Sequence, residues 1–228
     1  MSNVDTERRN PGWLRVLVVA GSVLAVLLLG ASAGLLVQLP DREVAQPAPE
    51  SVDVGFSQDM TVHHQQAALM AGWARERAQD PRIRLIGYDI ETSQLRQIGI
   101  MQGWLSLWDA ALLPMDGHMA WMAPESGHAH GGGDTVAVMP GMASGEELAR
   151  LRAASGRKFD VLFLQQMTRH HQGGIPMMAD AAERAQVPQV RNLASKMLGT
   201  QDTEIDLMTS MLAEFGAQSL PPPTGSDR

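Results

Sequence analysis

Two segments of the chain carry the same set of metal-ligating side chains. Met60, His63, His64 and Met70 recur as Met167, His170, His171 and Met177, in the spacing Met-x-x-His-His-x(5)-Met. On a helix, at about 100° per residue, these four side chains fall within about 120° of the circumference. One face then offers two imidazoles flanked by two thioethers. Imidazole suits copper, zinc and iron, and thioether selects soft ions, above all Cu(I). The competing reading is structural, with methionine filling core gaps and histidine belonging to a satisfied polar layer. One lone histidine would favour that reading. The same pair at two matched positions favours the metal. Ligating imidazoles must be neutral, so affinity is expected to fall as pH drops through the region near 6.5, the unperturbed histidine value.

A second pair of segments supports this. Gln94 and Gln97 interrupt an otherwise apolar stripe, as do Gln201 and Glu204. Buried polar groups need hydrogen-bond partners or a metal. The histidines are the natural partners, and Glu204 joins the candidate metal set as a ligand or as the group that orients an imidazole. A di-iron centre requires Glu on two helices and Glu-x-x-His on the other two. The predicted helices lack Glu-x-x-His, Gln97 stands opposite Glu204 in the repeat, and Asp59 matches Gln166. Hard ions such as Mg²⁺ and Ca²⁺ want several oxygens that these faces do not offer. Copper is therefore the leading ion, with zinc or iron as alternatives. Between the two segments lies a third candidate region. Met115, His118, Met119 and Met122 are followed by His128, His130, Met139 and Met142, in a Gly-rich tract where methionine has no periodic core face to fill.

These residues need helices to hold them. Phe56–Leu105 aligns without a gap on Phe163–Leu212, at an offset of 107, with 19 identities in 50 positions. Each copy reads as a helical hairpin. The first helix is predicted from about Ser57 to Gln79, and its copy from about Lys158 to Gln186. The second starts near Pro81, and its copy near Pro188, because proline suits a first helical turn; Asp80 is placed to cap the helix at Pro81. Ile83, Ile86, Ile90, Gln94, Gln97, Met101, Trp104 and Trp108 form one stripe. Val190, Leu193, Met197, Gln201, Glu204, Met208, Met211 and Phe215 form its copy, at the same spacing. No alternating strand pattern occurs in either copy. Pro176, inside the copied first helix, is expected to kink it. The predicted fold is all-α, a four-helix bundle of two hairpins with pseudo-twofold symmetry. Its span is 56–215, with hairpins at 56–113 and 157–215, a His/Met loop at 114–143, a short helix within 144–156 and a tail at 216–228. Ser144-Gly145-Glu146-Glu147 has the form of a capping box for that short helix.

Ahead of the bundle, Val16 to Val37 is a run of 22 residues without a charge. As a helix it spans roughly 33 Å, enough to cross a bilayer core. Arg8, Arg9 and Arg15 precede it, so residues 1–15 are assigned to the cytoplasm and the bundle to the outside. The length of the run, 16–37, favours a retained membrane anchor. Ala31-Ser32-Ala33 resembles a signal-peptidase site and leaves cleavage and secretion as the alternative. Residues 38–55, with Pro40, Pro47 and Pro49, read as a linker.

The composition closes off other classes. The 228 residues contain no cysteine, which excludes disulfides, thiolate metal sites and cysteine nucleophiles. The net charge of −7 gives no basic surplus for a nucleic-acid partner. No nucleophile triad, P-loop or dinucleotide fingerprint is present. Trp73, Trp104, Trp108 and Trp121 read as core or interface residues.

Phe56-x-x-x-Met60-x-x-His63-His64-x-x-Ala67-x-x-Met70 resembles the signature of the domain-of-unknown-function family 305. So does Phe159-Asp160-x-x-Phe163-Leu164-x-x-Met167-x-x-His170-His171-x-Gly173-Gly174-x-x-Met177. The segments Gln94-x-x-Gln97-x-x-x-Met101-x-x-Trp104-Leu105 and Gln201-x-x-Glu204-Ile205-x-x-Met208 follow the same pattern, and the similarity covers about 51–215. It implies a ferritin-like four-helix bundle, usually secreted or membrane-anchored in bacteria, with copper binding in some members. Residues and resemblance together point to an extracytoplasmic protein that buffers or delivers a metal ion, copper first. Its partners would be that ion and the membrane, with no protein partner identified. The alternative is a non-catalytic structural or interaction module of the cell envelope, with a buried His/Gln polar core.

Overall fold

The computed structural model describes residues 12–37, 46–115, 117–122 and 135–223. Among them it is all-α: α1 (Gly12–Val37), α2 (Val52–Arg77), α3 (Pro81–Leu107), α4 (Gly145–Ala153), α5 (Gly156–Arg184) and α6 (Pro188–Glu214). The chain divides into two units, residues 1–45 and 46–228. In the first unit, α1 is long and apolar enough to cross a membrane, a test that a signal sequence also passes.

The second unit is a bundle built on α2 and α5. Helix α2 packs along α3, α5 along α6, and α2 crosses α5. Helix α3 begins at Pro81, with Asp80 accepting a hydrogen bond from the Arg82 N–H at 2.8 Å. Helix α6 begins at Pro188. Ser144 caps α4 in a complete capping box with Glu147. Helix α2 starts at Val52, several residues before the expected start near Ser57 and inside the segment read as linker. Ser51 caps it by accepting from the Val54 N–H at 3.3 Å. The non-helical stretch between the hairpins also starts earlier than expected, because α3 ends at Leu107. Helix α5 is continuous through Pro176, which deprives the Gln172 carbonyl of its helical partner.

The hairpins are tied to each other reciprocally. The buried carboxylate of Asp53, at the start of α2, accepts from the Gln186 and Val187 N–H groups in the α5–α6 turn, at 3.0 and 2.8 Å. Asp160, 107 residues on at the start of α5, accepts from the Gln79 and Asp80 N–H groups in the α2–α3 turn, at 2.8 and 2.9 Å. Each clamp joins the start of one central helix to the end of the other, so α2 and α5 run antiparallel. Arg84 and Arg191, also 107 apart, each donate to the carbonyls of the two residues that follow the helix before their own. The repeat is thus a pseudo-twofold of contacts as well as of sequence.

The apolar interior falls into two clusters. One gathers Met70, Ile83, Ile90, Phe159, Phe163, Met167, Met208 and Met211. The other gathers Phe56, Met60, Met101, Leu105, Met139, Met177, Met178 and Met197. Eleven methionines are buried, which makes most of the methionine excess core filling by a flexible side chain.

Candidate metal centre

Along α2 the histidines fall between Met60 in one cluster and Met70 in the other. Along α5 they fall between Met167 and Met177, in the opposite order. The antiparallel crossing therefore puts the four histidines in one layer between the two apolar clusters. His63, His64 and His171 are fully buried, and His170 is 1% exposed. The His63 and His170 rings lie 3.8 Å apart between centroids, with their planes tilted by 38°, and the His170 and His171 centroids are 6.3 Å apart.

Hydrogen bonds fix the tautomers. His171 Nε2 donates to Glu204 Oε2 at 2.7 Å, and His63 Nε2 to the Pro140 carbonyl at 3.3 Å. Carboxylate and carbonyl oxygens only accept, so the ring hydrogen sits on Nε2 in both. His64 Nε2 donates in the same way to Gln97 Oε1, at 2.8 Å. Nδ1 of His63, His64 and His171 is left buried, with a free lone pair and no partner. Neither ring nitrogen of His170 has a partner. The amide oxygens of Gln94 and Gln201, one turn from Gln97 and Glu204, are likewise buried and unpartnered. So many orphaned acceptors in one layer run against the rule that buried polar groups are paired.

Burial also sets the charge state. It pushes His63 down to about 3, against the opposing hydrogen bond to Pro140. It pushes His64 down to about 3 as well, with a further contribution from neighbouring His63. His170 is lowered well below the usual histidine value by burial and then by His63. These three imidazoles are held neutral. Proton competition, expected near pH 6.5, is displaced to more acid conditions.

The thioethers sort differently from the sequence repeat. Met60 of the first copy shares a cluster with Met177 of the second, and Met70 shares the other with Met167. All four are fully buried. Among the described residues, no group of three or more His, Asp or Glu side chains is placed to hold a metal ion. The layer is an imidazole environment with Glu204 at its edge and the thioethers in the clusters on either side. It offers no carboxylate cage.

A strap from the inter-hairpin segment closes one side. Asp59, His63 and Gln66 lie on one face of α2 and hold it at three points. Asp59 is 1% exposed and accepts from His118 Nδ1 at 2.6 Å, the Met119 N–H at 2.7 Å and Trp121 Nε1 at 2.8 Å. That contact raises His118 above the ordinary histidine value. Gln66 donates to the Ala143 carbonyl at 3.0 Å and accepts from its N–H at 2.6 Å. A Cβ on Gly173 would collide with the Pro140 carbonyl, and one on Gly55 with the Trp121 side chain, so both glycines permit the strap's close approach. Met119 and Met139 are buried beneath it, Met122 and Met142 are half-buried, and Met115 is exposed. His128 and His130 lie outside the described residues. The sequence reading missed the grip of Asp59 and Gln66, and also the Asp53/Asp160 clamps. Extending the 50-position alignment three residues upstream, through Asp53-Val54 and Asp160-Val161, would have exposed the clamps.

The family model for a domain of unknown function, DUF305, matches residues 53–212, well over half of the chain, and the chain belongs to this family. A DUF305 protein of Streptomyces coelicolor, described as secreted, is 40% identical with a TM-score of 0.68, over 76% of this chain and 99% of that one. A DUF305 fragment from Deinococcus radiodurans is 31% identical with a TM-score of 0.57, over 72% of this chain and 96% of that one. CopM in its Cu(I)-bound form is 24% identical with a TM-score of 0.53, over 75% of this chain and 99% of that one, a likeness of fold alone. No curated protein matches the chain.

Proposed function

We propose that this member of the DUF305 family is an extracytoplasmic copper-binding protein that buffers or delivers the ion through its buried histidine layer. The observation that carries this reading is the set of unpartnered ring nitrogens. Three histidines place Nε2–H on a protein oxygen and leave Nδ1 free inside the bundle. This is the arrangement metal-ligating histidine adopts, its second N–H held by a carboxylate or carbonyl. His63, His64, His170 and His171 would supply imidazoles. Met60, Met70, Met167 and Met177 would supply thioethers from the clusters on either side, and Glu204 would orient His171. Neutral imidazole with thioether favours Cu(I), and imidazole alone binds Cu(II) through the Irving–Williams order. Zinc gains little from thioether, and iron lacks its usual carboxylates. CopM, which shares the fold, has been crystallised with Cu(I), Cu(II) and Ag bound, in keeping with this choice.

The bundle would face the outside of a bacterial membrane, tethered by α1 behind Arg8, Arg9 and Arg15. The hydrogen bonds from His64 to Gln97 and from His171 to Glu204 favour one rival, a copper-free polar core serving an interaction module. Metal analysis separates the two. Protein purified without a His-tag, loaded with Cu(I) or Zn(II) and desalted, should retain copper stoichiometrically and in preference to zinc. Retention of neither ion would favour the interaction module.

A further inference from the structure

The two halves of the histidine layer differ at one pair of equivalent positions. Gln97 and Glu204 are 107 residues apart, and each accepts from the Nε2 of the histidine 33 residues before it, at 2.8 and 2.7 Å. The geometry is shared and only the charge differs. Other charged groups nearby are already engaged: Asp59 holds His118, and Arg169 makes a two-pronged ion pair with Glu147 at 2.9 and 2.7 Å. Gln94 and Gln201 contribute neutral dipoles. Among the described residues, Glu204 is therefore the one carboxylate bonded to the layer.

A buried charge is costly unless it is paired. A monovalent cation on the imidazoles forms a neutral unit with Glu204. A divalent cation leaves one positive charge uncompensated, in a layer whose four histidines are at most 1% exposed. We infer that Gln97 sets the valence of the cargo: with an amide at this position the layer favours monovalent soft ions, Cu(I) and Ag(I), over Cu(II) and Zn(II). This inference rests on the copper reading and names the ion class of that same site.

The test uses the full chain, with Ag(I) as the monovalent probe and Cu(II) as the divalent one. Gln97→Glu adds a second carboxylate at the same reach. It should raise Cu(II) affinity by the roughly 10–100-fold that such imidazole partners contribute, and move Ag(I) affinity far less. Glu204→Gln removes that carboxylate and should weaken Cu(II) more than Ag(I), which keeps the test decisive if Gln97→Glu does not fold. The readout is the ratio of the two affinities, since a loosened fold would weaken both ions alike. An unchanged ratio in these variants, in a chain that still binds Ag(I), overturns the valence inference and leaves the copper reading standing. Wild-type protein that binds neither ion overturns both.

Discussion

Burial decides what each histidine can do, and the consequence is a pH dependence of two opposite signs. His63 and His64 stay neutral in the native state down to about pH 3, whereas the unfolded chain takes up protons below about 6.5. Their contribution is intact above 6.5 and is lost as pH falls towards 3, on the order of 1.4 kcal/mol per group per pH unit within that window. His118 works the other way. Its contact with Asp59 stabilises the fold below 6.5, and the gain is lost as pH rises through the raised value. The buried histidines outnumber it, so the apoprotein should lose thermal stability between pH 7 and 5. His63→Ala/His64→Ala should flatten that slope in thermal melts. A wild-type melting temperature that held steady or rose towards pH 5 would contradict a buried, neutral layer. Methionine belongs to the same scale. Met70→Leu and Met177→Leu conserve volume, so melting should change little while Cu(I) affinity drops more than Cu(II) affinity.

At the scale of elements, the repeat made most of the bundle legible. Pro81 and Pro188 marked two helix starts to the residue, and Ser144 with Glu147 marked α4. Local chemistry writes such signals directly into the sequence. The start of α2 was hidden because its first turns are polar yet buried. Ser57 and Thr61 satisfy their hydroxyls on carbonyls one turn back, and Asp53 is spent on the far hairpin. The strap was hidden for another reason. Asp59 and Gln66 act across 59 to 77 residues on a segment without periodicity, and no local pattern encodes such contacts. The crossed pairing of Met60 with Met177 needed the antiparallel packing of α2 and α5. The Asp53 and Asp160 clamps should be worth about 1–3 kcal/mol each, the cost of leaving buried N–H groups unpaired. Asp160→Ala should lower the urea midpoint, and Asp53→Ala should do so by a similar amount because the sites are equivalent. A midpoint unchanged in both would show that the clamps do not hold the hairpins together.

At the scale of the whole molecule, an apolar helix precedes a bundle whose clusters enclose a polar layer. The 22-residue uncharged run behind three arginines predicts that the chain fractionates with membranes and resists extraction by alkaline carbonate. Protease added outside intact cells should then reach the bundle. A mature N-terminus at Gly34 would show a cleaved signal instead of an anchor. That the histidine layer holds the copper is tested most directly by competition with a Cu(I) chelator. Wild type, His63→Ala/His64→Ala and His170→Ala/His171→Ala are compared, each checked for helical content by circular dichroism. His63 and His170 share one layer, so both double variants should remain helical and lose Cu(I) to the chelator at concentrations where wild type keeps it. Equal Cu(I) binding by all three would contradict the assignment, moving the site to the methionines of the strap or leaving the histidines as a copper-free polar core.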